Sequence, residues 1–243
     1  MVDIHCHILH QYDDGSASLA ESLEMARMAA ASGVTDIVAT PHFNGRASAL
    51  KSLPPLVERY RELSRAIAKA GIPLKLHPGA EVLCLEETAE LAQRKLLPTI
   101  GDTQYFLTEF YFDESLNQMD SMLRRVHTAG YIPVVAHPER YDAIHRDPMV
   151  LQRWFRQGYI LQLNKGSVLG AFGHRAEHAA HTILKAGLAH VIASDAHSAT
   201  HRTPHMGNLI RWMERHLSPD YARILLEENP RRIIRGDSPV PVE

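Results

Sequence analysis

Cysteine is nearly absent from this 243-residue chain, which carries only Cys6 and Cys84. Two cysteines build no disulfide framework. Neither is followed six positions later by arginine, since Tyr12 and Glu90 stand there, so a cysteine nucleophile paired with a phosphate-binding arginine is excluded. Charge of one sign is also missing: 26 basic residues face 28 acidic ones, for a net charge of −2. That balance argues against nucleic acid as a partner, because a duplex-binding domain is usually clearly basic. No apolar run approaches the roughly 20 residues that span a bilayer, so no membrane insertion is expected. The N-terminus has no basic stretch leading into an apolar one, and the cytoplasm is the expected compartment. Linkers, repeats and low-complexity blocks are lacking too. Residues 1–243 therefore read as one domain, with a tail from about residue 236, "GDSPVPVE", whose two prolines favour fraying.

What the chain does have is an ordinary globular composition, 45% hydrophobic and 22% charged, and a heavy load of 16 histidines. Apolar runs rich in β-branched residues fall at 2–7, 35–40, 74–82, 105–110, 131–137, 159–164 and 190–195. Helical patterns such as LAESLEMARMAAASG, PLVERYRELSRAIAKAG and AEHAAHTILKAG lie between them, each ending in glycine as helix C-termini often do. Seven strands alternating with helices imply a parallel sheet. A distorted seven-stranded α/β barrel of the triosephosphate-isomerase type fits better than an open sheet, because of where the polar residues fall.

In such barrels chemistry gathers at the C-terminal ends of the strands. His5 and His7 end the first strand, His42 follows the second, Glu81 ends the third, Glu109 the fourth and His137 the fifth, while Asp195 and His197 follow the seventh. Residues two apart on a strand share a face, so His5 and His7 stand side by side and Cys6 points away. Each position alone has an ordinary reading: a polar strand end, a surface turn, or a helix cap for Asp13, Asp14 and Asp195. Six strand ends carrying metal-ligand residue types are harder to reconcile with coincidence. A buried Glu109 or His137 without a partner would cost several kcal/mol, to order of magnitude, and a cluster of cations removes that cost.

The remaining histidines fit bland positions. His77 reads as a strand residue outside the site. His127, His145, His174, His178, His181, His190 and His216 read as surface residues, and His10, His201 and His205 as neighbours of the motifs. Cys6 reads as a small buried apolar group.

The segments DIHCHI, DDG, ATPH, GAE, EF, AHPERYD, LQLNKGSVLG, ASDAHS and ENPRRII together resemble the PHP superfamily, and within it the bacterial manganese-dependent tyrosine-protein phosphatases of capsule and exopolysaccharide loci. The likeness runs in order over nearly the whole chain. It implies a PHP-type barrel with three divalent metals, manganese by preference, although imidazole and carboxylate ligands suit iron or zinc equally well. By the resemblance, His5, His7, Glu81 and Asp195 hold the first metal. Glu81 bridges to the second, which also takes Glu109 and His137, and Asp14, His42 and His197 hold the third. Arg140 and Arg202 bind the phosphate as planar forks, with Arg46 a weaker candidate whose alternative is a surface salt bridge.

The implied reaction is hydrolysis of phosphotyrosine on a protein, the tail of a bacterial tyrosine kinase, by a hydroxide shared between two metals. Asp195 or His197 would protonate the leaving group if protonation is needed. Two segments bordering the pocket depart from the family pattern, LHQY after His7 and FNGRAS after His42. The competing expectations are a phosphatase of a small metabolite such as histidinol phosphate, an amidohydrolase, disfavoured by Asn164 at the end of the sixth strand, and a non-catalytic partner of a tyrosine kinase.

Overall fold

The β-branched runs form strands that lie parallel throughout the computed structural model, which describes residues 1–240. The strands are β1 (Val2–Cys6), β2 (Asp36–Ala39), β3 (His42–Asn44), β4 (Lys75–Pro78), β5 (Glu81–Leu83), β6 (Tyr105–Glu109), β7 (Ile132–Ala136), β8 (Ile160–Asn164) and β9 (Val191–Ala193). They pair in the orders β1-β2-β4 and β3-β5-β6-β7-β8-β9. β2 runs on into β3, and β4 into β5, so nine segments occupy seven barrel positions. The first break falls at Pro41, which has no N–H to give to a ladder. The barrel closes where the Asp195 amide donates to the His5 carbonyl and the His7 amide to the Ala196 carbonyl, at 2.9 and 2.8 Å.

Alternate residues of the later strands divide between two buried clusters. Leu107, Val134, Ala136, Ile160, Val191 and Ala193 pack with Ile100 and Ile233. The intervening Phe106, Val135, Leu161 and Ile192 belong to a larger cluster that includes residues of the helices. The face that carries Leu107, Ile160 and Ala193 delivers Glu109, Gln162 and Asn164, and Asp195 at its C-terminal end, which is how period-2 alternation aims polar groups at one mouth.

The helices expected between strands appear at Leu19–Ala31, Leu53–Lys69 and His174–Lys185. The first is capped by Ser18, whose hydroxyl accepts from the Glu21 amide, while Glu21 reaches back to the Ala17 amide. No helix among the described residues is long and apolar enough to cross a membrane. The described part of the tail, residues 236–240, is tied by hydrogen bonds from Gln104 and Tyr105 to the carbonyls of Gly236 and Asp237, and by Asn229 to Val240. The rest of the tail, residues 241–243, lies outside the described residues.

Several histidines depart from the surface reading. His190 is buried, because Phe155 stacks on its ring at 4.8 Å and Asn229 caps its carbonyl. His145 and His181 are half-buried, bonded to the carbonyls of Glu139 and Val168. His77 pairs with Asp36 at 2.8 Å, away from the mouth.

Candidate metal centre

The nine predicted ligands converge. Four overlapping donor groups, each with ligand atoms within 4.8 Å of one another, contain all of them: His7, Asp14, His42 and His197; His5, His7 and Glu81; His5, His137 and Asp195; His42, Glu81 and Glu109. His5, His7, Glu81, His137, Asp195 and His197 are buried, while Asp14 and His42 sit at the exposed edge.

Local backbone explains how the loops reach in. Gly15, of the DDG turn, lies so close to β1 that a Cβ there would stand 2.2 Å from the His7 carbonyl oxygen. Only glycine permits that approach, and it brings the preceding aspartates against His7. His137 follows Ala136, whose side chain lies in the cluster of alternate strand residues, so simple alternation would send the imidazole to the other face. A left-handed backbone, φ 37°, turns it into the site instead. Asp195 and Arg202 also sit at positive φ, 49° and 48°. Such conformations cost on the order of 1–3 kcal/mol each and persist where the surroundings over-determine them.

The hydrogen-bond pattern fixes what the histidines present. His5 Nδ1 lies 2.8 Å from Gln162 Oε1, and Gln162 Nε2 donates to the Leu163 carbonyl, so the oxygen is the group facing His5. His7 Nδ1 lies 2.8 Å from Asp13 Oδ2. Both Nδ1 atoms therefore carry protons, and both Nε2 lone pairs point inward, where the two Nε2 atoms are 3.2 Å apart. Glu81 Oε2 stands 3.3 and 3.2 Å from them, and Asp195 Oδ1 3.4 and 3.7 Å. Electron pairs from two imidazoles and two carboxylates thus meet at one point. A divalent ion held by N and O donors fits that point.

The remaining contacts extend the cluster. His137 Nε2 is 2.9 Å from Glu81 Oε1. His42 reaches both ways, with Nδ1 2.9 Å from Glu109 and Nε2 3.4 Å from Asp14, which is itself 3.5 Å from His197. His42 is thus nearer to Glu109 than a division of the ligands into separate sets would suggest.

Proton affinities tell the same story. Burial raises the Glu81 carboxyl, but His5, His137 and His7 carry it well below the usual carboxylate range. Burial likewise works against ionised Asp195, yet His5, His137 and Arg202 hold it at about 2. Burial pushes His7 down, and its bonds to Asp13 and Glu81 outweigh that and raise it to about 10. Burial, with the neighbouring His7 and Arg202, lowers His197 to about 4. Protons on His7 supply positive charge that a metal would otherwise supply, since ligation needs the deprotonated imidazole.

Arg140 and Arg202 both reach Asp195 Oδ2, Arg140 at 3.5 Å, and line a cavity of about 220 Å³ with the ligands and Phe112. Arg46 lies apart, 3.6 Å from Glu87 in an exposed ion pair. His10, His201 and His205 stay outside the donor groups; buried His10 faces Glu62 at 3.3 Å. Both cysteines are buried, and burial pushes Cys84 up to about 12 and Cys6 well above its ordinary value. Neither is a nucleophile. Sequence reasoning missed the groups that orient the ligands: Asp13, Gln162 and Asn164, whose Nδ2 donates to Asp195 Oδ2. Gln162 and Asn164 share the inward register of β8, which is the signal that could have found them.

A parallel barrel with carboxylates and imidazoles gathered at its mouth is the architecture of a metallohydrolase. Residues 1–235 match the family described as capsular polysaccharide synthesis, CpsB/CapC, and the chain belongs to that family. It is 36% identical over 240 residues to the tyrosine-protein phosphatase YwqE of Bacillus subtilis, covering 98% of this chain and 93% of that one. It is 30% identical over 241 residues to the tyrosine-protein phosphatase CpsB of Streptococcus pneumoniae, covering 96% and 98%. A crystal structure from work on YwqE and CpsB, described as unique metal-dependent tyrosine phosphatases, superimposes over the whole of both chains with TM-score 0.85 at 33% identity. The lactonase Lmo2620 of Listeria monocytogenes, at TM-score 0.60 and 11% identity over 96% of this chain and 94% of that one, shares the fold alone.

Proposed function

We propose that this chain is a metal-dependent protein-tyrosine phosphatase of capsule or exopolysaccharide synthesis, acting on a tyrosine-phosphorylated protein, the tail of a bacterial tyrosine kinase. The observation that carries the reading is the meeting of the His5 and His7 lone pairs with Glu81 and Asp195 beneath two guanidinium groups. Three divalent ions, manganese by preference, are held in this reading by His5, His7, Glu81 and Asp195, by Glu81, Glu109 and His137, and by Asp14, His42 and His197. When bound, such ions supply Lewis acidity and make water a usable nucleophile near neutral pH.

The protein's own groups do the rest. Arg140 and Arg202 receive the phosphoryl oxygens as planar donors, positioned before the charge develops on them. Both guanidiniums line the cavity, which places donors within reach of the ester. Asp195 and His197, at about 2 and about 4, enter at pH 7 without a proton to give, so they serve as ligands rather than as general acids. Tyrosine permits this, because a phenol of pKa about 10 leaves more readily than an alkoxide.

Metal-stripped protein, restored with manganese, zinc or magnesium and assayed on a phosphotyrosine peptide, histidinol phosphate, a phosphodiester and a lactone, tests the reading. Metal-dependent turnover led by the peptide is expected. Preference for histidinol phosphate would replace the substrate, and binding of the peptide without turnover in any metal would end the enzymatic reading.

A further inference from the structure

The nine residues 164–172, from the end of β8 onward, contribute nothing to the donor groups, yet they touch Asp195, both arginines and the loop beyond Arg202. We propose that residues 164–172 are the positioning element of that side, with Phe172 the residue that holds the Arg140 and Arg202 guanidiniums on one anion. This rests on the reading of the site as one for phosphate monoesters.

The geometry is specific. The Arg140 guanidinium lies between two phenyl rings, 4.3 Å from the centre of Phe172 and 4.6 Å from that of Phe112. Arg202 lies 5.4 Å from the same Phe172 ring. One aromatic face therefore buttresses two cations that come from different loops, after β7 and after β9. Like charges so placed repel each other. The negative ring face and the shared Asp195 oxygen offset that repulsion and keep both forks turned toward the cavity.

The rest of the segment supports the same side. Asn164 donates to Asp195 Oδ2, the oxygen that both arginines touch. Buried Lys165 donates to the carbonyls of Thr203 and His205 and so pins the loop just beyond Arg202. Gly166 makes room for the phenyl ring: a Cβ there would stand 2.3 Å from Phe172 Cε2. A flexible arginine loses rotamer entropy on binding, and a guanidinium already stacked has less to lose. Phe172 is accordingly a positioning residue, with no contact to reacting atoms required of it.

Titration of inorganic phosphate into manganese-loaded protein by calorimetry, with metal content measured on the same samples and KM and kcat on an aryl phosphate, tests this. Phe172→Ala should weaken phosphate binding and raise KM by about tenfold, the size of a well-shielded cation–π contact, with kcat within about threefold and metal content unchanged. Phe172→Tyr should restore the affinity, and Phe172→Leu should not. Gly166→Ala should reproduce the Phe172→Ala defect and add nothing to it in the double variant, since both act through one ring. Unchanged phosphate affinity in Phe172→Ala, wild-type affinity in Phe172→Leu, or a loss of metal in step with affinity would each overturn the proposal. Failure of wild-type protein to bind phosphate or cleave any monoester would instead strike the functional reading itself.

Discussion

His7 and His190 are both buried histidines flanking barrel strands, and they lie at opposite ends of the barrel. His190, just before β9, uses Nδ1 to accept the Leu161 amide at 3.1 Å. That bond requires the neutral ring, and burial alone lowers its pKa to about 4. His7, just after β1, donates from Nδ1 to Asp13 and faces two further carboxylates, and its pKa rises to about 10. Burial therefore does not mark a metal ligand. What marks it is a second nitrogen left facing anions after the first has been satisfied. The N-terminal end of the barrel closes its polar accounts within the protein, as His77 with Asp36 also shows, whereas the mouth leaves its anions converging.

The largest way to break this comparison is to remove the anion that four histidines share. Glu81 contacts His5, His7, His42 and His137. Glu81→Gln keeps the shape and removes the charge. Activity should fall by about 10³-fold or more, equivalent to about 4 kcal/mol of transition-state stabilisation, together with loss of bound metal by elemental analysis. Full metal content and activity in this variant would show that the mouth is no more a metal site than the other end.

The other end has its own test, in pH. Unfolded His190 should titrate near 6.5, and in the fold it does so near 4. Above pH 6.5 both states are neutral and the group contributes nothing. As the pH falls below 6.5 the unfolded chain takes up a proton that the folded one refuses, so stability drops, by about 3 kcal/mol once pH 4 is reached. Urea unfolding of metal-free protein between pH 7 and 4 should show this loss in the wild type and a correspondingly smaller one in His190→Gln, which keeps an acceptor for the Leu161 amide. Parallel pH profiles for the two proteins would sink the assignment.

Sequence periodicity made the candidate ligands legible because it carries facing. His5 and His7 share a face by alternation, and Glu81, Glu109 and Asp195 stand at or just beyond strand ends, so topology alone brings them to one rim. The breaks that split β2 from β3 and β4 from β5 were not legible, but they leave His42 and Glu81 side by side in register. His137 reaches the mouth as its place after a strand implied, although alternation alone would have turned it away. His190 was misread as exposed because nothing local reports that Phe155, on a helix 35 residues earlier, covers its ring. The stack of Arg140 between Phe112 and Phe172 is hidden for the same reason: it joins three loops whose spacing has no period.

Asp13 shows the limit most sharply, and it supplies the finest test of what separates the two histidines. It stands beside Asp14 in one turn, and both aspartates suit a cap or a ligand, so sequence cannot divide their roles. In the structure Asp13 accepts the His7 Nδ1 proton and the amides of Gly15 and His42, and those bonds, with the charge on His7, override burial and lower its pKa. Its carboxylate is consumed in orienting, while Asp14 stays exposed toward His42 and His197. Partners that fix a ligand's tautomer are worth about 10–100-fold in metal affinity or activity. Asp13→Ala should fall in that range, and Asp13→Asn, whose amide oxygen still accepts from Nδ1, should lose less than Asp13→Ala. The ordering is the informative part, because a mere cap would treat asparagine as the equal of aspartate and would leave metal affinity, read by competition with a chelator, where it was in both variants.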